Sequence, residues 1–199
     1  KELYGPLASM PIHAFSDDLS SDSPAPGGGS VSALAGTLAA SLTAMVANLT
    51  FGKKKWVPLY DQMCHISQES QSLKQKLLIL IDDDTEAFNH VIAVYKMPRS
   101  TENQILARNA ALNNALKEAT NIPYKILKCC REVMDYAKEA AEYGNPNSIT
   151  DAGVAAEMAN AGAQAAALNV KINLNEVDDI KYCQKMEEQT DKLIKETAK

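Results

Sequence analysis

An all-helical up-down bundle is the fold class this sequence predicts, and three observations carry it. Proline and glycine punctuate the chain only at wide intervals. The segments between them repeat apolar residues at helical spacing, and no stretch alternates as a half-buried strand does. At 199 residues with 46% hydrophobic side chains, the chain is large enough for one domain, residues 1–199, with a substantial core.

The elements follow in order. A short helix is expected over Ile12 to Leu19. Pro24-Ala25-Pro26-Gly27-Gly28-Gly29-Ser30 then forbids helix and frees the backbone, and a helix of small residues runs from Ser30 to about Leu49. After a turn at Phe51 to Trp56, a long periodic segment spans Val57 to Tyr95 and stops before Pro98. Another spans Glu102 to Glu142, with Pro123 predicted to kink it or to start a new segment. Gly144-Asn145-Pro146-Asn147 closes that segment. A second small-residue helix covers Ser148 to Lys171 and a polar one Glu176 to Thr197. The two small-residue helices need close partners to fill space, so they are expected to pack on each other or across the boundary of a homodimer.

Charge and composition exclude several classes. A net charge of −5 argues against a nucleic-acid surface. No charge occurs between Asp22 and Lys53, a stretch long enough to span a bilayer. Ala, Ser, Thr and Asn dominate it, which fits a helix buried in protein, and no membrane association is expected. It lacks the basic start and cleavage site of a signal peptide and the Gly-Lys-Ser/Thr ending of a Walker phosphate loop. Cys64, Cys129, Cys130 and Cys183 form no metal or disulfide pattern, and His13, His65 and His90 have no ligand spacing. No metal is expected, and free thiols suit a cytoplasmic location. Lys1, rather than Met, opens the chain, so either a trimmed chain or part of a longer, fused polypeptide is expected.

One acid stands on the wrong side of a helix. The line Leu73, Leu77, Ile81, Asp84, Phe88, Val91 and Tyr95 is apolar or aromatic except at Asp84. Asp82, Asp83 and Glu86 turn away and are expected to be solvated, although a one-residue change of phase would put Asp82 or Asp83 inside. A buried carboxylate must be paired or raised in pKa, which suits general acid/base work as well as a structural role. Asp151 opens a helix, where an acid ordinarily offsets the dipole. It also leads a line through Val154, Met158, Gly162, Ala165 and Asn169, with Asn173 one turn beyond. Lys53-Lys54-Lys55 suits a solvated helix end, or the attraction of an anionic tail.

Pro24 to Val31, Met45 to Thr50, Gly52 to Lys55, Asp84-Thr85-Glu86-Ala87-Phe88, Gly144-Asn145, Ser148 to Asp151 and Leu168 to Leu174 follow in that order, and the likeness they carry covers nearly the whole chain. The ordered set resembles the cyclodeaminase domain of formiminotransferase-cyclodeaminase and the related bacterial methenyltetrahydrofolate cyclohydrolases. That resemblance implies a dimerising helical bundle, a formiminotransferase partner or fusion, and folate chemistry with no cofactor besides the tetrahydrofolate substrate. The family's catalytic aspartate falls on Asp84. The expected reaction closes 5-formiminotetrahydrofolate to 5,10-methenyltetrahydrofolate with loss of ammonia, Asp84 acting as general acid and base. The rival is hydrolysis of the methenyl bridge to 10-formyltetrahydrofolate; a different class is a helical interaction protein without chemistry. By position, Gly27, Gly28, Gly29 and Ser30 are assigned to ligand contact. Asp151, Asn169 and Asn173 are assigned to the pterin or to orienting Asp84, and Lys53, Lys54 and Lys55 to a glutamate or polyglutamate tail.

Overall fold

The computed structural model describes residues 4–51 and 54–197. Among these, six α-helices and no strand follow one another: α1 (Ile12–Leu19), α2 (Gly28–Thr50), α3 (Tyr60–Tyr95), α4 (Glu102–Tyr143), α5 (Ile149–Leu174) and α6 (Ile180–Thr197). The bundle expected from the sequence is present. α3 starts later than its periodicity suggests, because Pro58 sits in a 3-10 turn over Lys54–Leu59. α4 starts with a capping box between Thr101 and Gln104 and runs unbroken through Pro123 to Tyr143. α6 starts where Asp179 accepts from the main-chain N–H of Tyr182 at 3.0 Å and pairs with Lys117 of α4 at 2.7 Å.

The core forms where α3 and α4 present bulk and α2 and α5 present almost none. Leu73, Leu77 and Ile81 of α3 meet Ile126, Leu127, Cys130 and Val133 of α4, all buried, around Ala33, Ala39 and Ala40 of α2 and Ala159, Ala163 and Ala166 of α5. α2 is long and apolar enough to span a bilayer by length and composition, yet its small side chains are spent on this interior. α2 and α5 lie directly against each other, as their composition predicts. A β-carbon at Gly162 would stand 2.9 Å from Cys130 Sγ and 3.0 Å from the Ser32 carbonyl, so a larger residue there would force the helices apart.

The two ends of the bundle are fixed separately. At one end the α4–α5 turn is tied to the last turn of α2 by Asn145 N–H donating to Thr50 Oγ1 at 2.7 Å. At the other, the glycine loop enters α2 beside the middle of α3. α2 rises about 1.5 Å per residue, which puts these ends about 33 Å apart.

Candidate active site

The first turn of α2 is built from residues that let another helix come close. Gly29 and Ser30 are buried against α3, and a β-carbon at Gly29 would overlap the carboxylate of Asp84. Ser30 Oγ donates to the Ile81 carbonyl at 2.8 Å and stands 3.4 Å from both Asp84 Oδ2 and Thr85 Oγ1. Its one proton is committed to the shorter bond, so Asp84 receives little from the hydroxyl. Burial pushes the Asp84 carboxyl above the ordinary carboxylate range; the main-chain N–H and the hydroxyl of Ser30 pull it back only in part. The N-terminal dipole of α2 also favours the anion. Asp84 is thus half-buried, short of donors, and raised.

It opens into a cavity of about 310 Å³ between the glycine loop, α3, α4 and the end of α5. Phe88 and Val91 of α3 and Leu116 of α4 form apolar walls. Asn169 lies at the glycine-loop side, its amide 3.3 Å from where a Gly28 β-carbon would be. Its Nδ2 donates to the Ala165 carbonyl at 2.9 Å, which leaves Oδ1 as an acceptor. Asn173 is held in the same sense for a more particular reason. Pro123 has no N–H, so the carbonyl four residues earlier, that of Ala119, loses its helical donor. Asn173 Nδ2 donates to that carbonyl at 2.9 Å. At the far end Tyr95 Oη donates to Glu176 Oε2 at 2.6 Å. The lining contains two carboxylates, Asp84 and Glu176, and no lysine or arginine.

Gly27, Gly28, Gly29, Asp84, Asn169 and Asn173 line this one cavity, with Ser30 just behind it. The remaining sequence-assigned residues lie elsewhere. Asp151 is in the first turn of α5, about 27 Å along that helix from Asn169. Lys54 and Lys55 follow the far end of α2, and Lys53 falls outside the described residues. The buried face of α5 runs through Ala152, Ala155, Ala159, Ala163, Ala166 and Val170, so the line through Asp151 is not the buried stripe that the sequence suggests, and Val154 on it is exposed.

Two expectations on α3 need correction. Asp82 is buried rather than solvated. Residues 5–10 fold back as a turn, and the N–H groups of Leu7 and Ala8 donate to Asp82 Oδ1 and Oδ2 at 2.8 and 3.0 Å. Asp83 is half-buried, and burial together with Glu86 raises its pKa against the opposing charge of Lys125. Glu86 is exposed as expected. Glu176, which the sequence places at the start of the last helix, lies instead in the turn between α5 and α6 and was not singled out as a site residue. Among the described residues no three His, Cys, Asp or Glu side chains gather around a metal position.

Residues 11–192 match the family described as Formiminotransferase-cyclodeaminase. A methenyltetrahydrofolate cyclohydrolase of Methylorubrum extorquens is 41% identical over 94% of this chain and 90% of its own length. Formimidoyltransferase-cyclodeaminases of Rattus norvegicus and Dictyostelium discoideum are 30% and 35% identical over 96% of the chain. The chain spans only about a third of those two proteins, 35% and 34% of their lengths. The crystal structure of a formiminotetrahydrofolate cyclodeaminase from Thermotoga maritima superposes with a TM-score of 0.83 at 31% identity, covering 95% of this chain and 92% of that one.

Proposed function

The chain belongs to the formiminotransferase-cyclodeaminase family, and we propose that it opens or closes the one-carbon bridge between N5 and N10 of tetrahydrofolate, with Asp84 carrying the proton. The observation that carries this is the position of Asp84: a carboxylate raised by burial, facing a cavity whose entry is glycine main chain. Of the two reactions, hydrolysis of the methenyl bridge has the stronger support, because the 41% identical relative matches along nearly its whole length and bears the cyclohydrolase name. In that reaction water adds to the methenyl carbon and Asp84 accepts a proton from it. Asp84 then returns a proton to N5 as the carbon–N5 bond breaks, leaving 10-formyltetrahydrofolate and one proton released to solvent. The Thermotoga structure supports the second reading, cyclodeamination. There the same carboxylate takes the N10 proton as N10 attacks the formimino carbon, then protonates the departing nitrogen as ammonia. Two assays on one preparation decide between them. Loss of methenyl absorbance above the buffer rate without ammonia release from 5-formiminotetrahydrofolate gives hydrolysis; ammonia release gives cyclodeamination; neither activity sinks the proposal.

A homodimer belongs to the same reading. Val31, Leu38, Met45 and Leu49 form an exposed apolar seam along α2, and Val154, Leu168 and Ile172 extend it on neighbouring α5. An antiparallel pairing of α2 with its copy sets the lysine end of each protomer toward the glycine loop of the other, giving Lys54 and Lys55 a route to the substrate's glutamate tail. Sedimentation of wild type and Leu38→Glu tests the pairing, and a mono- against polyglutamate binding series tests the lysines.

A further inference from the structure

The polar side chains facing the cavity are rich in acceptors. Asn169 and Asn173 each spend one amide N–H on a main-chain carbonyl and keep their oxygens as acceptors, and Asp84 and Glu176 are carboxylates. A ligand that brings donors to both ends matches the two carboxylates. Tyr95 fixes one oxygen of the Glu176 carboxylate, while the main-chain N–H of Glu176 donates to the Asn173 carbonyl at 3.2 Å and holds the backbone of the turn. Asp84 and Tyr95 share the α3 face eleven residues apart, about 16 Å between Cα atoms. That span accommodates a bicyclic ring, its link to N10 and a hydrogen bond at each end. The apolar walls between, Phe88, Val91 and Leu116, suit the faces of a flat heterocycle.

We propose that Glu176, steadied by Tyr95, reads the amino-pyrimidinone edge of the pterin, taking the parallel N3–H and 2-amino donors on its carboxylate while Asn173 Oδ1 accepts the other 2-amino proton. This assignment rests on the folate reading above and adds the direction in which the ring enters: amino edge toward the end of α5, reacting bridge toward Asp84. A paired carboxylate is the acceptor best matched to two parallel N–H donors. It makes Glu176 a specificity residue rather than a catalytic one.

The test is calorimetric titration of the purified protein with 5-formyltetrahydrofolate and with its 2-desamino counterpart, using wild type, Glu176→Gln and Tyr95→Phe. Glu176 is exposed at the end of a helix, so the substitution is expected to leave the helical circular dichroism unchanged. The expected result is that Glu176→Gln binds the parent ligand about ten- to a hundredfold more weakly. The desamino ligand should bind wild type weakly and lose little further in the variant, and Tyr95→Phe should lose a smaller factor toward the parent ligand alone. In turnover, KM should rise with kcat nearly kept. Equal losses for both ligands, or no loss for either, overturn the assignment while leaving the folate reading intact. Wild type that binds neither ligand overturns both.

Discussion

Asp82 and Asp84 sit two residues apart on one helix, and the chain treats them in opposite ways. Asp82 is closed over by residues 5–10 and held by two main-chain N–H groups. Asp84 is pressed against glycine, offered a hydroxyl already committed elsewhere, and left facing a cavity. The first arrangement gives each carboxylate oxygen a main-chain donor. The second keeps the carboxylate desolvated and free to exchange a proton. Burial alone therefore does not make an acid catalytic; the supply of donors decides.

The largest effect that can break this contrast is on turnover. Asp84→Asn keeps size and shape but cannot carry a proton, and kcat should fall about a hundred- to ten-thousandfold in a protein that remains folded, checked by rate and circular dichroism together. Asp82→Asn should leave kcat within a fewfold. Next is Gly29→Ala, whose β-carbon must displace the Asp84 carboxylate. A loss of about a hundredfold in kcat is expected, since small misplacements at a reacting group are costly.

Stability then sharpens the comparison, with opposite signs. Asp82→Ala removes two charge-assisted bonds that anchor the N-terminal turn and should cost about 2–3 kcal/mol, read as a midpoint drop of about 5–10 °C. Asp84→Asn should do the reverse at neutral pH. Its folded pKa lies above the unfolded one, so the folded state binds the extra proton and stability falls as pH rises through that range. The wild type therefore carries a penalty at pH 7 that Asn lacks, and the melting difference should close below the unfolded carboxylate pKa. The smallest effect is expected at Pro123→Ala. It returns a helical N–H to the Ala119 carbonyl, competes with Asn173 for it, and should raise KM a fewfold with little change in kcat.

Much of this was legible in the sequence because it is local. α1 occupies the predicted residues, the two small-residue helices pack as their composition requires, and the stripe on α3 points Asp84 to the cavity. Phase was readable; distant partners were not. Asp151 and Asn169 share a line, but 18 residues at about 1.5 Å each hold them about 27 Å apart, a separation already legible in their numbers. The burial of Asp82 depends on main-chain donors 74 and 75 residues away, which carry no side-chain signature. Pro123 looked like a break, and its consequence lies instead in the carbonyl it frees for Asn173. Glu176 joins the cavity from the turn between α5 and α6, not from the start of the last helix where the sequence places it.

The most direct measurement is a carboxyl-carbon NMR titration of Asp84, assigned by its absence in Asp84→Asn. A midpoint clearly above the free aspartate value of about 3.9 is the predicted result, as a desolvated proton carrier requires. A midpoint at or below that value would mean an anion whose donors are supplied, and would contradict the role assigned to it.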